Sequence, residues 1–478
     1  MKQLVDFFMG NLLVINLLFA VVVVFFERRS PKSVWAWLLL LYFLPLVGFL
    51  FYLLLGTDMR KRKLFRNKEV EDSVQEAGRQ QTNSVKRADI EVPGYTDLVL
   101  YHLKTSSAVL TGDNDIDIFT EGNALFEAML ADMRGAKQFI HLEFYIIRED
   151  ALFERLRQVL VQKVTEGVEV RILFDAMGCR TVSRRFWKGL REQGMEVAEF
   201  FPALLQRFHL RINYRNHRKI AVIDNELAYV GGFNIGMEYI GLDERFGQWR
   251  DTQLRIRGAA TLGLQLRFLL DWNYAAKKNL FSESRYYNNV STGNRDFAKI
   301  QVLTSGPDNT CQVIRDNYLQ LIHGARKSIA IQTPYFIPDE AVFEALRIAC
   351  GRGVEVQIMI PCKPDHMFVY WATYSYVGDL VMNGAKCYTY NNGFLHAKGI
   401  IVDEEVFCYG TANVDIRSFA LNFEVNVVVY DRKKAQEMLH YFQADLEYCS
   451  PITMDDYAKR SLPVRVKEQI CRLLSPLL

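Results

Sequence analysis

The sequence predicts an α/β protein made of two tandem domains of one fold, which follow two N-terminal transmembrane helices. Three observations predict this arrangement. Two long apolar runs lie within the first 56 residues. Helical and extended hydrophobic patterns alternate along the rest of the chain. A pattern of five residue types occurs twice, 179 positions apart, and the segments around it repeat in the same order. So long a repeat indicates a duplicated domain.

The apolar runs cover residues 7–26 and 34–55. A helix of about 20 apolar residues reaches across the roughly 30 Å hydrocarbon core of a bilayer. A cleaved signal peptide and an in-plane hairpin are the alternatives, and the length of the first run disfavours the signal peptide. More basic residues follow the second run than lie between the runs. The positive-inside rule therefore predicts cytoplasmic termini and a cytoplasmic catalytic domain.

Four segments are expected along the chain. Residues 1–56 form the membrane anchor, and residues 57–114 form a polar linker or peripheral segment. Residues 115–290 and 291–478 form the first and second α/β domains, and the second ends in an amphipathic segment. In each domain helical spacing alternates with short apolar runs typical of buried strands. Predicted helices cover 123–134, 151–166 and 342–349; predicted strands cover 139–147, 168–174, 220–223, 354–360 and 399–402.

Charge and cysteine content restrict the class of protein. Lysine and arginine number 58 against 55 acidic residues, a formal net charge of +3. Nucleic-acid-binding proteins more often carry a strong basic excess, so no nucleic-acid partner is expected. The eight cysteines are scattered and include no Cys-x-x-Cys pair. Reduced thiols are therefore favoured over disulfides or a zinc site.

The repeated pattern is His-x-Lys-x4-Asp-x6-Gly-x-x-Asn. Its members are His217, Lys219, Asp224, Gly231 and Asn234 in the first copy, and His396, Lys398, Asp403, Gly410 and Asn413 in the second. Histidine and lysine two positions apart lie on the same face of a strand. Neither copy alone supplies all the groups that phosphate transfer requires. We therefore expect both copies to meet across a pseudo-two-fold interface and to form one active site.

These residue types suit displacement at a phosphodiester. The reaction needs a nucleophile, a proton donor for the leaving oxygen and positive charge around the phosphoryl oxygens. One neutral imidazole can attack phosphorus while a protonated one serves the leaving group. The lysines supply charge, and Asn234 and Asn413 supply amide donors. This chemistry requires no metal and no cofactor, and we expect neither.

The pattern resembles the HKD motif of the phospholipase D superfamily, with Gly232 and Thr411 at the position where serine is usual. Together with the apolar runs and the sequence Trp249-Arg250-Asp251, nearly the whole chain resembles the bacterial cardiolipin synthases of that superfamily. The resemblance implies two phospholipase D-like domains on a multi-pass protein of the bacterial cell membrane. It implies that one phosphatidylglycerol donates its phosphatidyl group to another, which gives cardiolipin and glycerol through a phosphohistidine.

The resemblance also implies roles within the catalytic set, which comprises His217, Lys219, Asp224, His396, Lys398 and Asp403. His217 would be the nucleophile and His396 the general acid and base, although the residues themselves leave this choice open. The motif aspartates lie seven positions after the histidines, an odd spacing that favours the opposite face and a structural role. The implied orienting carboxylates are Asp251, 34 positions after His217, and Glu424, 28 positions after His396.

Two alternative functions remain. A membrane-bound phospholipase D would hydrolyse phospholipid to phosphatidic acid, and a non-catalytic membrane scaffold would need neither motif. The expected partners are phosphatidylglycerol and cardiolipin in the membrane, and a homodimer is left open.

Segments 200–211 and 370–376 are interpreted either as lipid-contacting or as packed. An apolar stripe beside basic residues near the C terminus fits either a helix on anionic lipid or one docked on the body. The stripe comprises Leu462, Val466, Ile470, Leu473 and Leu474.

Overall fold

The computed structural model describes residues 2–25, 31–48, 92–201, 214–281, 283–287, 298–309, 311–363 and 365–475. The chain divides into an N-terminal unit and an α/β body. In the N-terminal unit, helices α1 (Lys2–Phe25) and α2 (Pro31–Phe43) pack through Val23 and Leu41. The Asn16 amide donates to the carbonyls of Leu41 (3.2 Å) and Pro45 (2.9 Å), which satisfies a buried polar group.

The expected transmembrane helices overlap this unit. Within the described residues, none of the helices combines the length and the apolar character needed to cross a bilayer. Residues 49–55 of the second apolar run lie outside the described residues, as does most of the segment 200–211.

The strands of the first half are β1 (Thr111–Glu121), β2 (Phe139–Phe144), β3 (Glu169–Asp175), β4 (Glu196–Phe200), β5 (Arg215–Asn216), β6 (Lys219–Ile223), β7 (Leu227–Gly231) and β8 (Trp249–Gly258). Those of the second half are β9 (Ala298–Ser305), β10 (Ser328–Gln332), β11 (Phe336–Ile337), β12 (Glu355–Pro361), β13 (Lys386–Tyr390), β14 (Phe394–Leu395), β15 (Gly399–Val402), β16 (Val406–Gly410), β17 (Val414–Asp415), β18 (Asn422–Tyr430) and β19 (Cys449–Ile452).

The helices of the body are α3 (Thr96–Ser106), α4 (Gly122–Gly135), α5 (Ala151–Thr165), α6 (Arg184–Glu192), α7 (Ala260–Ala276), α8 (Val313–Gly324), α9 (Glu340–Gly351), α10 (Met367–Val381), α11 (Ile416–Ala420), α12 (Arg432–Leu446), α13 (Met454–Ala458) and α14 (Leu462–Leu473). The helices α5 and α9, which occupy equivalent places in the two halves, both begin with an aspartate N-cap. Asp150 caps α5 and Asp339 caps α9, each by accepting from backbone N–H groups of the first turn.

One sheet continues through both halves, with the same strand order on either side of its centre. From β1 outward the order is β1-β8-β7-β6-β2-β3-β4, and from β9 it is β9-β18-β16-β15-β10-β12-β13-β19. β1 and β9 pair antiparallel and join the halves. The α/β class and the duplication are thus confirmed, and the halves follow a pseudo-two-fold arrangement.

Two short strands cross between the halves. β5 of the first half pairs parallel with β18, through Arg215 with Asn422 and Asn216 with Phe423. Reciprocally, β14 of the second half pairs parallel with β8, through Phe394 with Trp249. Each crossing strand comes directly before a motif histidine. The exchange therefore carries each histidine to the other half.

Each half has its own apolar core. The first contains buried side chains of α4, α5, β2 and β3. The second contains those of α8, α9, β10 and β12, and it also includes Val92, Leu98, Val99 and Ala108. From Val92 onward, the segment expected to be a polar linker or peripheral segment contributes side chains to this core. Apolar residues at helical spacing in α3 bury against the second core, although α3 precedes the first half in sequence.

We expect Leu98→Ala to destabilise the body by about 2–5 kcal/mol, because it removes a buried side chain and leaves a cavity. The measurement is thermal or denaturant unfolding of the full chain in detergent. Lys104→Ala, on the exposed side of α3, is the matched control and should leave the midpoint unchanged. Equal midpoints for both variants would contradict the packing of α3 into the core.

Candidate active site

The crossing strands fix the backbone of both motif histidines. The N–H of His217 donates to the carbonyl of Phe423 at 2.9 Å, and that of His396 donates to the carbonyl of Arg250 at 2.7 Å. Phe423 directly precedes Glu424, and Arg250 directly precedes Asp251. The same backbone contact in each half therefore brings an imidazole beside a carboxylate of the opposite half.

Each imidazole is held by that carboxylate through Nδ1. Nδ1 of His217 lies 3.0 Å from both oxygens of Glu424, and Nδ1 of His396 lies 2.5 Å from Oδ2 of Asp251. An ionised carboxylate can only accept, so Nδ1 carries the proton and Nε2 keeps its lone pair. The resemblance implied Asp251 and Glu424 as the orienting carboxylates without indicating that each would serve the histidine of the other half. The exchange of β5 and β14 produces this crossed pairing.

The two carboxylates are held by different residues. The Thr411 hydroxyl donates to Oε2 of Glu424 at 2.5 Å, and the Asn422 amide donates to Oε1 at 3.1 Å. At the position equivalent to Thr411 the first motif has Gly232. A Cβ there would lie 1.8 Å from Oδ1 of Asp251, so the carboxylate occupies the space that a side chain would take. The two departures from serine in the motif therefore have separate physical reasons.

Both motif lysines are buried beside these pairs. Nζ of Lys219 donates to the carbonyl of His217 at 2.7 Å, and Nζ of Lys398 lies 3.7 Å from Oδ2 of Asp251. Burial lowers the pKa of Lys219 to about 7, and Glu424 opposes this shift. Burial likewise lowers the pKa of Lys398 to about 8, opposed mainly by Asp251.

The imidazoles are neutral at neutral pH when the site holds no substrate. Burial lowers the pKa of His217, against the opposing effect of Glu424. Burial and then Lys398 lower the pKa of His396 to about 4. Lys398 also acts on His217 and Lys219 acts on His396, so both motif copies lie within electrostatic range in one site. The two imidazole side chains are 13% and 12% exposed, which leaves an opening toward solvent.

The partner carboxylates stay ionised. Burial alone would raise the pKa of Asp251, but Lys398 and His396 hold it below its usual value. Burial would raise the pKa of Glu424 as well, but His217, Lys219 and the Thr411 hydroxyl together lower it below its usual value. Each ionised carboxylate therefore fixes the tautomer of its histidine and is placed to stabilise an imidazolium.

The motif aspartates serve the backbone. Asp224 and Asp403 each accept three hydrogen bonds from backbone N–H groups where β2 and β10 begin, and both have φ of 54°. The donors are Lys137, Gln138 and Phe139 for Asp224 (2.6–2.8 Å), and Arg326, Lys327 and Ser328 for Asp403 (2.7–2.9 Å). Their inclusion in the catalytic set is corrected by these contacts, which agree with the structural role that their odd spacing favours.

The motif asparagines lie against neighbouring groups. Oδ1 of Asn234 accepts from the N–H of Ile146 at 3.0 Å, and its Nδ2 donates to the Tyr239 hydroxyl at 3.3 Å. Asn413 is buried, and its amide helps to hold the pKa of Asp415 down, although burial still raises that pKa to about 6. The predicted donation from both amides to a phosphate stays a prediction.

Two residues near the histidines, Tyr145 and Asp175, were not found from the sequence. The Tyr145 ring meets His217 edge-on at 4.9 Å between centroids, and the ring of Trp249, already part of the family resemblance, lies 5.0 Å from His396. Asp175 accepts from the N–H of Asn216 at 2.9 Å and so holds β5. Tyr145 directly follows β2 and Asp175 ends β3. The rule that sites form at the carboxyl ends of parallel strands could have identified both.

Comparison with known families agrees with this geometry. A family profile described as cardiolipin synthase, PLD-like domain, matches residues 129–244 and 318–446. The chain is 45% identical to the major cardiolipin synthase of Bacillus subtilis (strain 168) over 476 residues, which cover 97% of this chain and 98% of that protein. The chain belongs to the bacterial cardiolipin synthases of the phospholipase D superfamily. The expectation of such an enzyme is confirmed.

Further matches extend over the same length. A cardiolipin synthase of Oceanobacillus iheyensis is 46% identical over 478 residues, covering 98% of each chain. A second family profile, described as the phospholipase D-nuclease N-terminal segment, matches residues 14–56. The crystal structure of the phosphatidylserine synthase of Haemophilus influenzae Rd KW20 superposes with a TM-score of 0.60 at 14% identity, covering 79% of this chain and 98% of that one. This likeness supports the fold with two phospholipase D-like domains.

We expect Gly232→Ala to lower kcat on the order of 10²-fold while the protein stays folded, because the new methyl group displaces Asp251 from His396. Gly135→Ala is the control, since a Cβ at that glycine meets no atom within 4 Å. The measurements are turnover and thermal unfolding of both variants. Full activity in Gly232→Ala would contradict the close packing of Asp251.

Binding of a phosphodiester should involve proton uptake, because the anion favours charged lysines whose pKa values are about 7 and 8 in the empty site. Affinity for dimethyl phosphate then falls as pH rises above 8, up to about tenfold per pH unit for each proton that the lysines take up. Competition against turnover at each pH measures this, and Lys219→Met should flatten the slope. An inhibition constant unchanged from pH 7 to 9 would contradict the low lysine pKa values.

Proposed function

We propose that the enzyme converts two phosphatidylglycerol molecules into cardiolipin and glycerol, through a covalent phosphohistidine at His217. One observation carries this proposal. Two neutral imidazoles share one buried site with two lysines, and each imidazole has Nδ1 fixed by a carboxylate. Such a site offers one Nε2 to phosphorus and the other to the leaving oxygen. The relatives' names indicate the lipid substrate.

In the first half-reaction the Nε2 lone pair of His217 attacks phosphorus. The bond from phosphorus to the glycerol oxygen breaks, and that oxygen takes a proton from Nε2 of His396. His396 must be protonated for this step, whereas its pKa is about 4 in the empty site. The negative charge of the bound phosphodiester favours the imidazolium, so substrate binding itself prepares the acid.

In the second half-reaction His396, now neutral, accepts the proton of a primary hydroxyl on a second phosphatidylglycerol. The hydroxyl oxygen attacks phosphorus, the phosphorus–nitrogen bond breaks, and His217 leaves as a neutral imidazole. Glu424 stabilises the positive charge that His217 carries while it is phosphorylated. Attack by water at this point would give phosphatidic acid, the product of the alternative hydrolase.

The lysines and asparagines support both half-reactions. Lys219 and Lys398 place positive charge beside the phosphoryl oxygens, where charge develops in the transition state. Asn234 and Asn413 add amide donors. Asp251 and Glu424 act as positioning residues through the histidines. Because one chain supplies both motifs, turnover does not depend on a homodimer.

The proposal includes an N-terminal membrane anchor. Residues 7–26 and 34–55 would cross the bacterial cell membrane, with both termini and the catalytic body in the cytoplasm. The apolar runs, the basic residues after them and the family match over residues 14–56 support this arrangement. An anchor keeps the site in the leaflet that holds both the donor and the acceptor lipid.

The reaction is tested with purified full-length protein and phosphatidylglycerol in detergent, without added metal. We expect cardiolipin and glycerol in equal amounts, resolved by thin-layer chromatography, and no turnover by His217→Ala or His396→Ala. Asp224→Asn, which alters a backbone-binding residue, should mainly lower stability. Phosphatidic acid as the sole product would favour the hydrolase, and an inactive wild type would favour a scaffold.

The nucleophile is identified by trapping the intermediate. The His396→Ala variant is incubated with labelled phosphatidylglycerol, quenched in alkali to preserve phosphohistidine, and digested for mass spectrometry. The label is expected on the peptide that contains His217. A label on the His396 peptide of the His217→Ala variant, with none in His396→Ala, would reverse the assignment.

A further inference from the structure

The C-terminal helix α14 docks on the body through its polar side. Arg472 forms an ion pair with Asp379 of α10, and buried Glu468 lies 3.2 Å from Arg460. The Tyr376 hydroxyl bonds to Ser475 at 3.2 Å. The contact with the body therefore combines charges and hydrogen bonds with a small apolar cluster, in which Cys471 packs with Ile337 and Ala372.

Four of the five members of the apolar stripe face outward, and Leu474 is half-buried. Leu462 is 73% exposed, Val466 48%, Ile470 53% and Leu473 81%. A helix on a soluble protein normally buries its apolar stripe and exposes its charges. This helix has the reverse orientation. It is docked on the body, as one of the two interpretations of the sequence expected, but its apolar side chains remain exposed.

The exposed apolar surface continues onto the start of α10. Met367 and Phe368, in the first turn, are 55% and 59% exposed. Nζ of Lys467 lies 5.6 Å from the Trp371 ring centroid, one helical turn further along α10, so the two helices lie side by side. α10 contacts β11 through the Thr373 hydroxyl, which accepts from the N–H of Phe336 at 3.1 Å. β11 pairs with β17, which directly follows Asn413, so α10 is connected to the second motif through one strand pair.

The charges around the stripe are basic. Arg465 and Lys467 are exposed on α14, while its acidic residue, Glu468, is buried. Of the nearby acidic side chains of α13, Asp455 forms an ion pair with Lys459. Asp456 accepts a hydrogen bond from the Thr453 hydroxyl at 2.5 Å. Arg465 also donates to the carbonyl of Ala458 and Lys467 lies against the Trp371 ring, yet both side chains are exposed. An exposed apolar stripe flanked by exposed basic groups is complementary to an anionic bilayer.

The geometry points to a membrane-contact surface on the catalytic body, formed by the outer face of α14 and the first turn of α10. It inserts its apolar side chains at the headgroup level of an anionic leaflet and directs the opening of the active site toward that leaflet. This inference rests on the proposed function for the reason that lipid must reach the site. It is separate from the N-terminal anchor, which holds the chain at the membrane but not the orientation of the body.

The contact is tested on the full chain by the accessibility of a cysteine. Ile470→Cys is reconstituted into phosphatidylglycerol vesicles and into phosphatidylcholine vesicles, and its labelling by a charged maleimide is followed by peptide mass spectrometry. We expect labelling at least fivefold slower in phosphatidylglycerol, and the added changes Arg465→Gln and Lys467→Gln should remove the difference. Lys188→Cys, 75% exposed on α6, is the control and should label equally in both. Equal rates for Ile470→Cys would overturn the proposal.

A second measurement uses turnover. The double variant Val466→Ser and Ile470→Ser should lose at least tenfold in kcat/KM on phosphatidylglycerol in vesicles, yet keep its activity within twofold in detergent micelles. Gln469→Ser, on the same helix, should change neither value. Equal losses of kcat/KM in vesicles and in micelles would overturn the proposal. A change from dimer to monomer in the double variant would identify the face as a protein contact and would also overturn it. If the wild type makes no cardiolipin, the proposed function fails. The labelling result still shows whether the α14 face contacts the anionic membrane.

Discussion

The exchange of β5 and β14 between the halves is the constraint on which the active site depends. Each exchanged strand forms only a short pairing, yet it sets the backbone of a histidine against the strand that carries the opposite carboxylate. A histidine of either half is correctly oriented only when the other half is docked. The large continuous sheet, the joining of β1 to β9 and the two separate cores all maintain that docking.

Burial then sets the chemistry of the site. Removing two lysines and two histidines from water favours their neutral forms, while Asp251 and Glu424 remain charged beside them. The same desolvation that makes positive charge costly on the lysines and histidines strengthens their interaction with the two carboxylates. In the proposed reaction, substrate recognition and activation of the acid would both depend on this environment.

Much of the fold followed from periodicity and repetition. The duplicated α/β halves were accessible because hydrophobic spacing and motif spacing are local properties. The prediction that each His and Lys share one strand was wrong, because each histidine lies between a crossing strand and the next strand of its half. The role of α3 was missed, because residues 57–110 are polar on average and Leu98 and Val99 bury only against a distant half. The crossed pairing of His217 with Glu424 was missed as well, since spacing along the chain contains no information about strand exchange. Thr411 and Gly232 looked like equivalent departures from serine, and only the positions of Glu424 and Asp251 distinguish them.

The difference between Thr411 and Gly232 has a consequence for the direction of the reaction. An ancestral site assembled from two identical chains would have identical surroundings for both imidazoles, and either could attack first. Within a single fused chain the two copies can diverge, and here one carboxylate is held by a hydroxyl and an amide while the other lies against a bare glycine backbone. The two imidazoles are therefore inequivalent before any substrate arrives. Such broken symmetry is a property of the folded chain itself, and it gives the two halves of one site different local environments.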